Sequence, residues 1–241
     1  ALWVSRWNVP RAVASIMPVV VIPLLATLVT GGLMFVVLGR PLSSLMRNLT
    51  DGLNSLSGGS IILLGVVLGL MMAFDMGGPV NKVAYAFGLA ALASGNLKIM
   101  AAVMAAGMTP PLGLALATVV RKHLFTKAER QAGEAGWLLG ASFITEGAIP
   151  FAAADPLRVI PALMVGSAVT GALVMGFGNE SRAPHGGIWV VGLISKPILY
   201  ILAILIGTAV TAAGVIILKT AGRKQASDIE PAASRQATAT S

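Results

Sequence analysis

The sequence predicts an all-α, polytopic transmembrane helical bundle with re-entrant or discontinuous hairpins, and three observations lead there. Of 241 residues, 56% are hydrophobic and 11% charged, and the mean hydropathy is +0.86; a soluble domain carries roughly 25% charged residues. Several apolar runs approach the ~20 residues that cross ~30 Å of hydrocarbon. Others are too short and are broken by Gly, Pro and charge, which membrane-depth backbone tolerates only where it is covered by protein or lines a cavity. The runs are continuous rather than alternating, which argues against an outer-membrane barrel.

The charge distribution supports the same class. The net charge is +8, but the 17 basic residues lie between and after apolar runs and form no long tract. Basic residues so placed orient membrane helices, so no nucleic-acid partner is expected. Cysteine is absent, which removes disulfides, thiolate nucleophiles and cysteine-ligated metals. No phosphate-binding loop, nucleophile elbow or metal-ligand cluster is present, so neither a cofactor nor a metal is expected. Ala1 leads almost at once into an apolar run with no secretory signal, so the N-terminus is expected to be a cut inside a longer protein.

The first span is expected over 14–38, where Pro18 and Pro23 are tolerable if neighbours satisfy the freed carbonyls. Over 41–57, Leu42, Leu45, Met46, Leu49, Leu53 and Leu56 recur at three- and four-residue steps, opposite Arg47, Asn48, Asp51 and Asn54. That is an amphipathic helix, lying at the interface or simply connecting spans. A span over 60–78 and a re-entrant segment over 79–94 surround the Gly77-Gly78-Pro79 break. A full-length span follows over 97–120, interrupted by Pro110-Pro111. The polar stretch 121–134 reads as a cytoplasmic loop, with Arg121, Lys122, Lys127 and Arg130 against Glu129 and Glu134. The segment 137–154 is expected to dip in and return, followed by spans over 160–177 and 198–218. Residues 219–241, rich in Ala, Ser, Thr and Gln, read as a disordered cytoplasmic tail. The membrane domain is thus 1–218, with the C-terminus in the cytoplasm.

Ionisable residues inside apolar sequence are few, and such residues are usually functional or paired. Asp75, Asn81 and Lys82 flank the first break, either as an Asp75–Lys82 ion pair stapling the turn or as polar ligands. Glu146, beside Thr145, has no basic residue within ten positions. It either binds ligand hydroxyls or pairs with a distant cation. Asp155 and Arg158 suit a structural pair at a helix start. His185, between Pro184 and Gly186-Gly187, is either solvated or a ligand contact; His123 reads as solvated. The composition alone implies a transporter or channel subunit for a polar, uncharged solute.

Long strings then point further. MMAFDMGGPVNKVAYAFG (71–88), AAVMAAGMTPPLGLALAT (101–118), SFITEGAIPFAAADPLRVIPALMVGSAVTGAL (142–173) and APHGG (183–187) resemble, in order, the membrane IIC component of fructose-family phosphotransferase systems. The resemblance spans about 18–218. It implies a IIC-like fold, a homodimer in the inner membrane, and import of fructose or a close relative. Phosphorylation to the 1-phosphate would be performed by a IIB partner supplied through IIA and HPr. It also implies sugar contacts at Thr145-Glu146 and His185; Asp75, Asn81 and Lys82 at the first break join the candidate sugar-binding set on their own placement in apolar sequence. Full IIC domains carry further spans before the position of Ala1, and the IIB cysteine and IIA histidine are absent from this chain. The chain is therefore expected to be part of a phosphotransferase complex without transferring phosphate alone. Two alternatives stay open: a proton- or cation-coupled sugar carrier using Glu146 and His185, and a truncated membrane module without catalysis.

Overall fold

The computed structural model describes residues 21–33, separate positions between 41 and 55, and 60–239, with side chains as far as Gly222. The chain divides into two compact units, 1–48 and 49–241. In the first, α1 (Ile22–Leu33) is a 12-residue apolar helix, the described part of the span expected over 14–38. The apolar stripe expected over 41–57 lies outside the described residues; the positions described between Pro41 and Ser55 are helical.

In the second unit, the Ser60 hydroxyl caps α2 (Ile61–Phe74). Its 14 residues rise only about 21 Å, short of the ~30 Å a span requires. The expected span over 60–78 therefore ends at Asp75, and the chain doubles back as α3 (Pro79–Ala93). Pro79 stands in the first turn of α3, where a missing N–H costs nothing. Next comes α4 (Leu97–Val120), 24 residues and about 36 Å long.

The stretch 121–134, expected as a loop, instead supplies a short 3-10 turn (Lys122–Leu124) and the first half of α5 (Lys127–Ala141). A capping box explains the difference. Thr126 Oγ1 accepts the Glu129 N–H, and the Glu129 carboxylate accepts the Thr126 N–H at 2.8 Å. The chain turns through a 3-10 segment, Thr145–Ala148, into α6 (Ile149–Ala154). Then come α7 (Pro156–Gly176), a 3-10 segment over Gly187–Leu193, and α8 (Pro197–Ala239). The backbone of α8 is helical through 219–239, part of the stretch expected as a disordered tail; its Ala, Gln, Lys and Arg are good helix formers.

Helices α4 and α7 and the segment Pro197–Gly222 of α8 are long and apolar enough to cross a membrane. They pack on one another, and α2 lies along α7. Hydrocarbon offers no hydrophobic drive between helices, so close approach of small residues does the work. A side chain on Gly65 or Gly171 would run into the other's carbonyl, and one on Gly69 into that of Ser167. Between α7 and α8 the fit is reciprocal: Thr211 sits against Gly166, and Thr170 against Gly207.

Pro110 and Pro111 lie inside α4, which continues through them. Proline has no N–H, so the carbonyls four residues earlier, on Ala106 and Gly107, lose their helical partners. Side-chain hydroxyls replace them: Ser167 of α7 donates to Ala106 at 3.0 Å, and Thr145 donates to Gly107 at 2.9 Å.

At one end of this unit, Lys219 and Glu129 form a nearly buried ion pair at 2.8 Å, with side chains 10% and 8% exposed. Lys219 also lies 4.9 Å from the centre of the Phe125 ring, which meets Phe151 edge-on. Asp155 and Arg158 pair at 3.2 Å, and they share a cleft with Glu129 and Lys219. The start of α5, the end of α6 and residue 219 of α8 therefore stand at one end, so the segment between enters and leaves on the same side.

Burial alone would raise the Glu129 carboxyl, but the hydrogen bonds from Lys219 and Thr126 and the Lys219 charge outweigh it and hold the group below 4.5. A carboxyl that titrates lower when folded adds stability that is complete above its unfolded value and drains away below it. Thermal unfolding in detergent should therefore occur at progressively lower temperature as the pH falls from about 5 to about 3. Glu129→Gln leaves Lys219 without a counter-charge and should cost about 3 kcal/mol at neutral pH, while flattening the acid limb. Equal neutral-pH melting temperatures for variant and wild type would remove the pair from the stability account.

Candidate functional site

Two hairpin tips and one loop converge beside the proline break of α4. The first tip joins α2 to α3. Met76 and Gly77 adopt left-handed backbone, with φ of 44° and 110°. The Asp75 carboxylate accepts the Val80 N–H at 2.7 Å and the Asn81 N–H at 3.0 Å, placing an anion at the α3 N-terminus. Asn81 reciprocates, donating from Nδ2 to the Met72 carbonyl at 2.7 Å. Gly77 lets the second tip come close, since a side chain there would meet the Glu146 carboxyl at 2.5 Å.

The second tip follows α5. The Phe143 N–H bonds the Gly140 carbonyl and the Ile144 N–H bonds that of Leu139, the double closure of a Schellman cap. Such caps favour glycine at the left-handed position, and Gly95 and Gly178 fill it after α3 and α7. Here Phe143 occupies it at φ 62°, a conformation that costs an L side chain roughly 1–2 kcal/mol. Its ring packs over Gly107, where any side chain would overlap it. Gly107 thus receives the Phe143 ring on its open face and the Thr145 hydroxyl on its carbonyl. Because Gly107 is ten residues into α4, the tip stands about 15 Å from that helix's start, near half depth.

The third contribution is the loop 177–196. The Ser181 N–H bonds the Leu97 carbonyl at the start of α4, and Trp189 Nε1 donates to Ser142 Oγ at 2.9 Å. Gly187 lies flat on α5, where a side chain would collide with the Ala141 carbonyl. This brings the His185 ring to 4.7 Å from Phe143, tilted 34°, and to 6.3 Å from Tyr85, nearly perpendicular. Tyr85 and Phe143 stand 6.1 Å apart.

The three segments border an open cleft of about 130 Å³. Asn81, Lys82, Thr145, Glu146 and His185 line it, together with Met72, Tyr85, Phe143 and Ile144. Lys82 Nζ stands 3.4 Å from Glu146 Oε1, with side chains 56% and 46% exposed. Five of the six residues singled out from sequence therefore share one cavity, and Asp75 does not. Its carboxylate is spent on the α3 N-terminus, so the Asp75–Lys82 pair weighed from sequence is replaced by Lys82–Glu146. Thr145 lines the cleft, but its proton belongs to Gly107. Asp155 and Arg158 pair with each other beside Lys219 and Gly222 of α8 and do not line the cleft.

Sequence reasoning passed over Tyr85 and Phe143. Tyr85 follows Lys82 at helical i,i+3 spacing and so shares its face. Phe143 lies two residues before Thr145, but nothing local announces an aromatic residue in left-handed backbone. The arrangement joins flat apolar rings to an exposed carboxylate, an ammonium and an imidazole. Such a set can hold a small polyhydroxylated molecule, with C–H faces on the rings and hydroxyls bridging the charged groups.

The phosphotransferase system EIIC family model matches residues 7–166. The fructose-specific EIIB'BC component of Vibrio cholerae is 52% identical over 225 residues, covering 92% of this chain and 39% of that protein. The fructose-specific EIIABC component of Bacillus subtilis is 49% identical, covering 85% and 32%. The fructose permease IIC component of Bacillus amyloliquefaciens is 49% identical over 211 residues, covering 88% and 69%. The chain thus spans about two fifths or less of the multi-domain relatives. No solved structure matches it.

Removing the Thr145 hydroxyl should strand the Gly107 carbonyl. Thr145→Val is expected to lower unfolding stability in detergent by about 1–2 kcal/mol, and Thr145→Ser to restore most of it. A valine variant as stable as wild type would mean that the tip is held by packing alone.

Proposed function

The chain belongs to the phosphotransferase system EIIC family, and on that premise we propose that it is the sugar-translocating part of a fructose permease. The observation that carries this reading is the cleft, where Lys82, Glu146 and His185 meet the rings of Tyr85 and Phe143 near half depth of the α4 span. A ketose entering it offers several hydroxyls as donors to the Glu146 carboxylate and as acceptors from Lys82. Both charged groups are about half exposed and 3.4 Å apart, so a hydroxyl can insert between them without stranding either charge. The C–H face of the sugar lies on Tyr85 or Phe143, and His185 borders the same space.

The chemistry divides accordingly. This chain has no cysteine and supplies binding and passage. The phosphoryl group comes from a phosphorylated IIB partner, itself charged through IIA and HPr. The C1 hydroxyl oxygen of fructose attacks phosphorus, the bond from phosphorus to the carrier breaks, and the hydroxyl proton leaves to solvent, giving fructose 1-phosphate. The fused EIIB'BC and EIIABC architectures named for the relatives support such partners. The permease works as a homodimer in the cytoplasmic membrane, with the 121–134 end and the C-terminus facing the cytoplasm.

Reconstituted in vesicles with phosphorylated IIB inside, the full-length protein should accumulate fructose 1-phosphate from external fructose. Free fructose inside would reject the reading, and uptake without a phosphoryl donor that collapses with an uncoupler would favour a proton-coupled carrier. Calorimetry tests the site itself: Glu146→Gln should weaken fructose binding by about 1–3 kcal/mol, as for loss of a charged hydrogen-bond partner. An unchanged dissociation constant would take Glu146 out of the site.

A further inference from the structure

Another cleft, distant from the sugar site, opens where α4 ends and α5 begins. Its volume is about 540 Å³, and Lys122, Lys127, Arg130 and Glu134 border it together with Val119. The three basic side chains are exposed, and none has a carboxylate within 4.0 Å among the described residues. The neighbouring charges behave differently: Lys219 is neutralised by Glu129, and Arg158 by Asp155. Three cations with a single acid among them are therefore left uncompensated at one place.

That place has a defined depth. Lys122 is two residues past the end of a 24-residue membrane-length helix, the level at which headgroups begin. Apolar surface continues from the cations toward the span. Val119 and Val120 in the last turn of α4 are 55% and 58% exposed. On α5, Lys127, Arg130 and Glu134 lead at three- and four-residue steps to Trp137 and Leu138, 42% and 63% exposed. The α5 face thus grades from cationic to apolar over about 15 Å.

We propose that this cleft binds an anionic phospholipid, its phosphate between Lys122, Lys127 and Arg130 and its acyl chains along Val119, Val120, Trp137 and Leu138. Basic pockets between helices at a membrane face hold anionic headgroups, each cation adding about a factor of five in affinity. An acidic soluble domain would also neutralise the cations, but it has no counterpart for the apolar continuation toward the span. The lipid has both parts in the observed order. The site stands apart from the sugar cleft and does not draw on the function proposed for it.

The test uses the full-length protein purified in detergent and titrated with phosphatidylglycerol or phosphatidylcholine. It follows melting temperature and lipid retained in native mass spectra. Wild type should be stabilised by, and retain, phosphatidylglycerol in preference to phosphatidylcholine. Combining Lys122→Gln, Lys127→Gln and Arg130→Gln should weaken phosphatidylglycerol binding about 100-fold. Lys98→Gln with Arg182→Gln, at the other end of α4, should leave it unchanged. If the triple variant does not fold, Arg130→Gln alone should give about a fivefold loss. Equal response to the two lipids, or a preference that survives these substitutions, overturns the proposal. So does equal stabilisation by soluble glycerol phosphate, which would make the site one for free phosphate esters. Loss of binding to an acidic phosphorylated soluble domain with lipid preference intact would assign the cleft to that partner instead.

Discussion

Two carbonyls decide where everything in this unit sits. Prolines at 110 and 111 deprive Ala106 and Gly107 of their helical donors, and inside a membrane no water can step in. An unsatisfied carbonyl there costs about 1–2 kcal/mol, so other segments bring donors to it and α4 remains a continuous helix. Ser167 does so from α7 and Thr145 from the tip between α5 and α6. The proline pair is therefore a socket as much as a break. It fixes the height of the tip along α4 and its rotation, and with them the position of Glu146 one residue on. Gly107 adds the space that the Phe143 ring needs.

The ion pairs divide by burial, and the division says which are scaffold. Lys219–Glu129 is short and nearly buried, within a capping box and against an aromatic ring. Removing either partner strands a charge, which is costly. Lys82–Glu146 is longer and about half exposed in an open cleft, so its mutual attraction is modest. A pair of that kind can exchange its contact for contacts with a ligand at little cost. Asp75 shows the opposite use of an acid in the same neighbourhood: two backbone N–H groups hold it, and it has nothing left to offer a ligand.

Much of this was legible in the sequence. Run lengths pointed to long apolar helices over 97–120, 160–177 and 198–218, and helices long and apolar enough to cross a membrane run over Leu97–Val120, Pro156–Gly176 and Pro197–Gly222. The rarity of ionisable residues in apolar sequence pointed to Lys82 and Glu146 without revealing their pairing, since 64 positions separate them and only the meeting of two tips makes them neighbours. The role of Thr145 was hidden for a related reason. Its hydroxyl looks like a ligand group until Pro111, thirty-four positions earlier, is seen to have freed a carbonyl beside it. The polar stretch 121–134 was misread as loop because its charge outweighed a readable Thr126-x-x-Glu129 cap. Phe143 had no local signal at all, because glycine is the expected occupant of its backbone conformation.

These ties also limit how the site can move. The second tip is bound to α4 through Thr145, and α4 to α7 through Ser167 and the Thr109–Thr170 hydroxyl contact at 2.8 Å. Along α7 lies α2, at glycine-to-glycine distance, and α2 carries the first tip, closed by Asp75 and Asn81. Separating the tips from the spans would strand the Gly107 carbonyl, and separating the spans would open tightly packed backbone on both sides. On the proposed function, access to the cleft must alternate between the two faces of the membrane. The least costly motion that achieves this keeps both tips, α2, α4 and α7 together as one body. The sugar would then travel with its binding groups intact, and the boundary that slides would lie outside this group of helices.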